Sequence, residues 1–224
     1  MSRRLVLLHT VTSLVGLFTQ LGREILPEDV EIVHVADEVL LKVVLDRGGL
    51  SPFAYRRVID HVQAAEQMGA AAVLLTCSSI SPCADAARPF VRIPVLKVDE
   101  PMVDEAVARG QRIGVAATAP TTLAPTVELV RVRAALAGKA VTVDPVLCEG
   151  AYAAMTSGDL ARHDAIVRDA LRTLRARNDV VVLAQASMAR VASTIPPQEQ
   201  GAPLLASPRL AMERVRAVLE ALAS

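Results

Sequence analysis

Aromatic rings are nearly absent from this chain. Of 224 residues none is tryptophan and aromatics make up 2%, so it lacks the stacking platforms on which single-stranded nucleic acid is bound. Neither sign of charge is in excess: Lys+Arg and Asp+Glu are each 24. That balance leaves no electrostatic footprint for phosphate backbones or anionic lipid. Cysteine is scarce and odd in number, three at irregular spacing, which makes no disulfide framework. The expectation is a reducing, cytoplasmic compartment, where a thiol is either a small hydrophobe or a reagent. CxxC, HExxH, Walker A and GxGxxG sequences are all missing and the four histidines are scattered, so neither a metal nor a nucleotide cofactor is expected. Long apolar runs are missing too. The uncharged run 5–22 is interrupted by His9, Thr10, Thr12, Ser13, Thr19 and Gln20, and no small-residue cleavage pattern follows. It reads as strand, polar loop and helix rather than as a targeting segment or membrane anchor.

What is present is Ala, Val and Leu, within a hydrophobic share of 52%. Short apolar runs at 4–9, 30–35, 71–76, 93–98, 112–117, 140–146 and 180–184 are mostly continuous rather than alternating, as in parallel strands covered on both faces. Amphipathic segments lie between them. Ser51-Pro52 opens one helix that Gly69 stops; another spans about 100–109; a third opens near Thr121 and ends before Gly138. A fourth follows Ser157 or Asp159 and buries Leu160, Val167, Leu171 and Leu174, and Ser207-Pro208 caps the last. Strand–helix alternation of this kind predicts an α/β fold with parallel sheets.

The chain also repeats itself at one offset. The strand ending in His9-Thr10 is echoed by the one ending in Ala117-Thr118, and Thr10 and Thr118 lie 108 positions apart. The same offset relates Val35 to Val143, Ser51 to Asp159, and Leu75-Thr76-Cys77 to Leu183-Ala184-Gln185. Two copies of one unit are therefore expected: 1–98 plus 206–224 as a first lobe and 99–205 as a second, pseudo-symmetric, with the active site in the cleft between them. The final helix should return to the first lobe. A homodimer or higher homo-oligomer is the default expectation. Ligands of such sheets bind beyond the carboxyl ends of the strands, which directs attention to Thr10, Cys77, Thr118 and Gln185.

Leu75-Thr76-Cys77-Ser78-Ser79 ends a buried strand and enters a loop of small hydroxyl residues, where backbone N–H groups favour a thiolate. Thr76-Cys77-Ser78-Ser79 resembles the first cysteine motif of the aspartate/glutamate/hydantoin racemase superfamily. Gly114-Val115-Ala116-Ala117-Thr118-Ala119-Pro120-Thr121 resembles that superfamily's mid-chain strand, with its two threonines three apart. Leu183-Ala184-Gln185-Ala186-Ser187-Met188 resembles its second cysteine motif. The three stand in the expected order over nearly the whole chain.

The resemblance implies a cofactor-independent isomerase that exchanges the hydrogen next to a carboxylate or carbonyl, with Cys77 as the proton-transferring thiol. The second cysteine is replaced by Gln185, whose carboxamide has no exchangeable acid proton near neutral pH and can only hydrogen-bond. A further acid is then needed, and His9 and Glu149 are the candidates. Thr10, Ser78, Ser79, Thr118, Thr121, Gln185 and Ser187 are the expected ligands of a small carboxylate substrate; loop capping accounts for any one of them equally well. His34, His61 and His163 are read as surface or helix-face residues, Cys83 as structural, and Asp37-Glu38 as a loop or helix start. Two alternatives stay open. One is a single-thiol, cofactor-free decarboxylase similar to the arylmalonate decarboxylases, although their lone thiol lies in the second half. The other is a small-molecule-binding protein without chemistry.

Overall fold

The computed structural model describes residues 3–196 and 201–223 and divides into two compact units, Met1–Glu100 with Pro208–Ser224, and Pro101–Ser207. The first unit holds β1 (Arg3–His9), α1 (Val15–Ile25), β2 (Val30–Ala36), α2 (Glu38–Asp46), α3 (Pro52–Gln67), β3 (Ala72–Leu75), α4 (Pro82–Ala87) and β4 (Val95–Lys97). Helix α5 (Glu100–Arg109) leads into the second, with β5 (Arg112–Ala117), α6 (Pro120–Leu136), β6 (Thr142–Leu147), α7 (Ala151–Thr156), α8 (Leu160–Arg177), β7 (Val180–Leu183), α9 (Met188–Ala192) and β8 (Leu204–Ala206). Helix α10 (Ser207–Ala221) belongs to the first unit. Among the described residues no helix is long and apolar enough to cross a membrane; the run 5–22 is shared between β1 and α1.

Each unit is a four-stranded parallel sheet, ordered β2-β1-β3-β4 in the first and β6-β5-β7-β8 in the second. The central register is the same in both: Leu8 faces Leu75, and Ala116 faces Leu183, so the offset of 108 holds for both strands. The helix starts keep it as well, with Ser51 and Asp159 as N-caps of α3 and α8. The outer strands depart from it. Leu5 faces Ile32 while Ile113 faces Val143, so Ile32, not Val35, is the counterpart of Val143. Strand β8 was not predicted, because three residues after Pro203 carry too little pattern. It pairs with β7 as β4 pairs with β3, shifted by one further residue. Asp37-Glu38 is the start of α2, helices α7 and α9 were not anticipated, and Leu160, expected in the core, is 52% exposed.

Continuous apolar strands are explained by two-sided cover. In β1, Val6 and Leu8 join Val73, Leu75, Val58, Val62 and Cys83 on the face of α3 and α4. Leu5 and Leu7 join Phe18, Leu21, Met212, Val215 and Leu219 on the opposite face, under α1 and α10. In the second unit Ala116, Val181 and Leu183 meet Val167, Leu171 and Leu174 of α8. Gly114 in β5 suits this packing: a Cβ there would lie 3.1 Å from each of Asn178 Nδ2, Leu174 Cδ2 and Val181 Cγ2, so those side chains would have to give way by a few tenths of an ångström.

Asp159 closes the start of α8, its carboxylate accepting from Arg162 N–H at 3.0 Å. Replacing it by alanine leaves that donor to water and is expected to cost about 1 kcal/mol in a denaturant titration.

Candidate active site

Beyond the strand ends of the first sheet lie Thr10, Asp37, Cys77 and Asp99. Of the three thiols, Cys83 and Cys148 are buried and Cys77 is half-exposed. Burial pushes all three above the ordinary thiol range, Cys83 to about 12 and Cys148 to about 11. Only Cys77 has donors working in the opposite direction: the Thr10 hydroxyl, the N–H groups of Ser79 and Ile80, and the Ser79 hydroxyl. Hydrogen bonds to the charged form favour it, so a thiolate has prepared partners at Cys77 and none at the other two. Thr10 Oγ1 is buried without a hydrogen-bond partner, and its hydroxyl opposes the effect of burial on the Cys77 thiol.

His9 does not join this group. Alternation along β1 sends Leu5 and Leu7 to the α1/α10 face, and His9 follows them, its ring 5.5 Å from that of Phe18. Cys77 packs on the other face. Both ring nitrogens of His9 are occupied, Nδ1 by Thr76 Oγ1 and Nε2 by His34 Nδ1, each at 2.9 Å. His34 Nε2 continues to Thr19 Oγ1 at 3.0 Å. Donor counting admits two complete arrangements. In one, Thr76 donates to His9, His9 to His34, His34 to Thr19, and Thr19 to the Val15 carbonyl. In the other every proton is reversed and Thr76 donates to the Leu8 carbonyl. Both rings are neutral in either case. Burial, reinforced by His34, lowers His9 to about 4. The expectation that His9 partners Cys77 is thus corrected by strand parity, and His34 is no plain surface residue.

Ser78 is likewise turned inward. Its hydroxyl, with that of Ser81, reaches the buried carboxyl of Asp99; the Ser81 bond to Oδ1 is 2.8 Å. Asp37, also buried, is held by Arg57 Nε at 2.5 Å and His61 Nε2 at 2.7 Å.

In the second unit the corresponding strand ends carry Thr118, Glu149 and Gln185. Gln185 Oε1 accepts from Thr118 N–H at 2.6 Å and from Thr118 Oγ1 at 2.9 Å. A backbone N–H can only donate, which fixes the amide's orientation and leaves its NH2 group turned from Thr118. Thr121, in the first turn of α6, is buried with Oγ1 unpartnered. Ser187 is half-exposed at the start of α9, and its side chain makes no capping bond. Glu149 is exposed after β6. His163, read as a surface or helix-face residue, is 1% exposed; Nδ1 bonds Asp164 Oδ1 at 2.8 Å and Nε2 has no partner.

The sequence profile of the Asp/Glu/hydantoin racemase family matches residues 17–215. The chain belongs to that family. Solved structures share its fold. A glutamate racemase from Francisella tularensis, in complex with D-glutamate, superposes with a TM-score of 0.76 at 15% identity, covering 99% of this chain and 82% of that one. A glutamate racemase from Bacillus anthracis gives 0.73 at 17% identity, over 98% and 82%. An allantoin racemase from Klebsiella pneumoniae gives 0.71 at 19% identity, over 99% and 89%. No curated protein matches the chain in sequence.

For this member of the racemase family, sequence reasoning missed Asp99. It stands directly before α5 and was absorbed into the expected helix start. It also stands two residues after β4, as Cys77 stands two residues after β3, and no pattern in the sequence marks its side chain.

Proposed function

We propose that this racemase-family chain is a cofactor-independent isomerase of a small carboxylate or carbonyl compound, in which Cys77 exchanges the hydrogen on the carbon next to that group. One observation carries the proposal: the half-exposed thiol is the one whose thiolate has converging donors. Cys77 as thiolate takes the α-proton, and the electron pair moves onto oxygen as an enediolate or enolate. Fixed donors to that oxygen are typically the largest catalytic contribution, each worth about 3 kcal/mol. The NH2 group of Gln185 and the hydroxyl of Thr121 are assigned this task, because neither is spent on the fold in the way Ser78 is. Return of the proton needs an acid that Gln185 cannot supply. With His9 committed to its own chain of hydrogen bonds, Glu149 or a water takes that place.

The test is deuterium uptake at carbon from heavy water, across a panel of small amino acids, hydroxy acids and hydantoin-type rings, followed by mass and proton spectra. Uptake without loss of carbon dioxide is the expected result. Carbon dioxide release would favour a decarboxylase, and binding without either would leave a protein without chemistry. On a substrate so found, Gln185→Leu removes the amide donor and strands the Thr118 N–H. It is expected to lower kcat/KM about 100-fold, while Gln185→Glu, which keeps an acceptor for Thr118, retains the fold.

A further inference from the structure

Asp99 is 1% exposed and makes no salt bridge among the described residues. Lys97, whose charge acts on it, is committed elsewhere, with Nζ 2.6 Å from Asp85 Oδ2 and 3.6 Å from Glu100 Oε1. Arg88 is shared between the same two acids. Burial pushes the Asp99 carboxyl up to about 6, against the hydrogen bonds of Ser81 and Ser78 and a weaker pull from Lys97. A buried carboxyl without a cation is costly and calls for a reason.

The geometry supplies one. The last pair of the β3–β4 ladder, Leu75 with Lys97, is closed by Val98 N–H donating to the Leu75 carbonyl at 3.0 Å. Cys77 and Asp99 each follow that pair by two residues. Val95, Leu75 and Cys77 pack on the face of α3 and α4. The segment Cys77–Ser81 is a tight turn, with Ile80 N–H bonded to the Cys77 carbonyl and Ser81 N–H to that of Ser78. Asp99 accepts from Ser78 and Ser81, so it grips the turn on both sides of Ser79 and Ile80. Those two residues carry the N–H groups that oppose the effect of burial on the Cys77 thiol.

We propose that Asp99 is a positioning residue for Cys77, its side chain fixing through Ser78 and Ser81 the turn that aims the Ser79 and Ile80 N–H groups at the thiolate. The proposal rests on Cys77 being the proton-transferring thiol, but its test reads thiol chemistry and needs no substrate.

The measurement is the rate of Cys77 alkylation by iodoacetamide in the folded protein, followed by peptide mass spectrometry from neutral to alkaline pH. In Asp99→Ala the N–H groups lose their aim. The midpoint of the pH profile is expected to rise by about one unit, and the rate at neutral pH to fall about tenfold. Asp99→Asn offers an amide oxygen to Ser81 and an amide N–H to Ser78, and is expected to stay within about threefold of the parent. Loss of a neighbouring negative charge alone would act in the opposite sense, lowering the midpoint in both variants. A midpoint unchanged in Asp99→Ala, or lowered in both, overturns the proposal. Should Asp99→Ala fail to fold, Ser81→Ala removes one of the two grips; it is expected to slow alkylation about threefold, and an unchanged profile overturns the proposal equally. If no compound in the panel takes up deuterium, the isomerase assignment fails while the alkylation result stands by itself.

Discussion

Cys77→Ser is expected to slow α-hydrogen exchange by about 10³-fold or more, with the fold intact. General-base proton transfer contributes roughly 10²–10⁴ to a rate, and a serine hydroxyl in place of the thiol is too weak an acid to supply the conjugate base near neutral pH. The substitution is close to isosteric at a half-exposed position packed on the α3/α4 core, so far-ultraviolet circular dichroism and the denaturant midpoint should barely move. Cys83→Ser and Cys148→Ser are the controls. Both thiols are buried and held well above neutral, so each change costs stability and leaves the rate per folded molecule unaltered. Exchange by Cys77→Ser within about tenfold of the parent would remove this thiol from the chemistry.

The second large effect concerns His9 and acid. Its folded-state pKa, about 4, lies below the ordinary 6.5. The unfolded chain therefore binds the extra proton between those values. The stability that the neutral ring contributes is complete above about pH 6.5 and is lost as pH falls toward 4. The full difference is about 3 kcal/mol, of which about 2 kcal/mol is gone by pH 5. Asp99 works in the other direction. Raised to about 6, it binds its proton more readily when folded, so its share of the stability grows as pH falls through the same range. The parent protein alone thus reads a partial cancellation. The comparison that isolates the histidine is His9→Gln against the parent in urea at pH 7 and pH 5. The variant is less stable at neutral pH, where the Thr76–His34 connection is broken, and this deficit is expected to shrink by about 2 kcal/mol at pH 5. A deficit independent of pH would mean that the ring titrates alike in the folded and unfolded chain, and a deficit that grows toward pH 5 that it carries a proton when folded.

Much of the architecture was legible before any coordinates, for identifiable reasons. Parallel strands buried on both faces must be continuous in Val, Leu and Ala, and the inner strands β1, β3, β5 and β7 were found in this way. The repeat was legible where two copies preserve the same contacts: the inner register and the caps Ser51 and Asp159. It slipped at β2 and β6, where edge strands tolerate insertions and half-buried positions accept many side chains. It failed for β8, whose three residues are held by Val181–Leu183 more than by any pattern of their own.

At the site, sequence pattern singled out Thr10, Cys77, Thr118 and Gln185 because each follows or ends a buried strand, and the family resemblance added Thr121. Which way a side chain turns after a strand end is a different question. His9 and Thr10 are neighbours in sequence, yet one lies against Phe18 and the other bears on the sulfur of Cys77. Ser78 and Ser79 divide in the same way, one toward Asp99 and the other toward the thiol.

By itself the sequence determined the α/β class, the two related units, the family and the candidate thiol, since each depends on order along the chain and on periodicity. Only the tertiary structure decided that His9 belongs to His34, that Thr118 locks Gln185, and that Asp99 holds Ser81. Those are contacts between residues 25, 67 and 18 positions apart. Such contacts arise from strand register and side-chain parity, and register is a property of paired strands that neither strand carries alone.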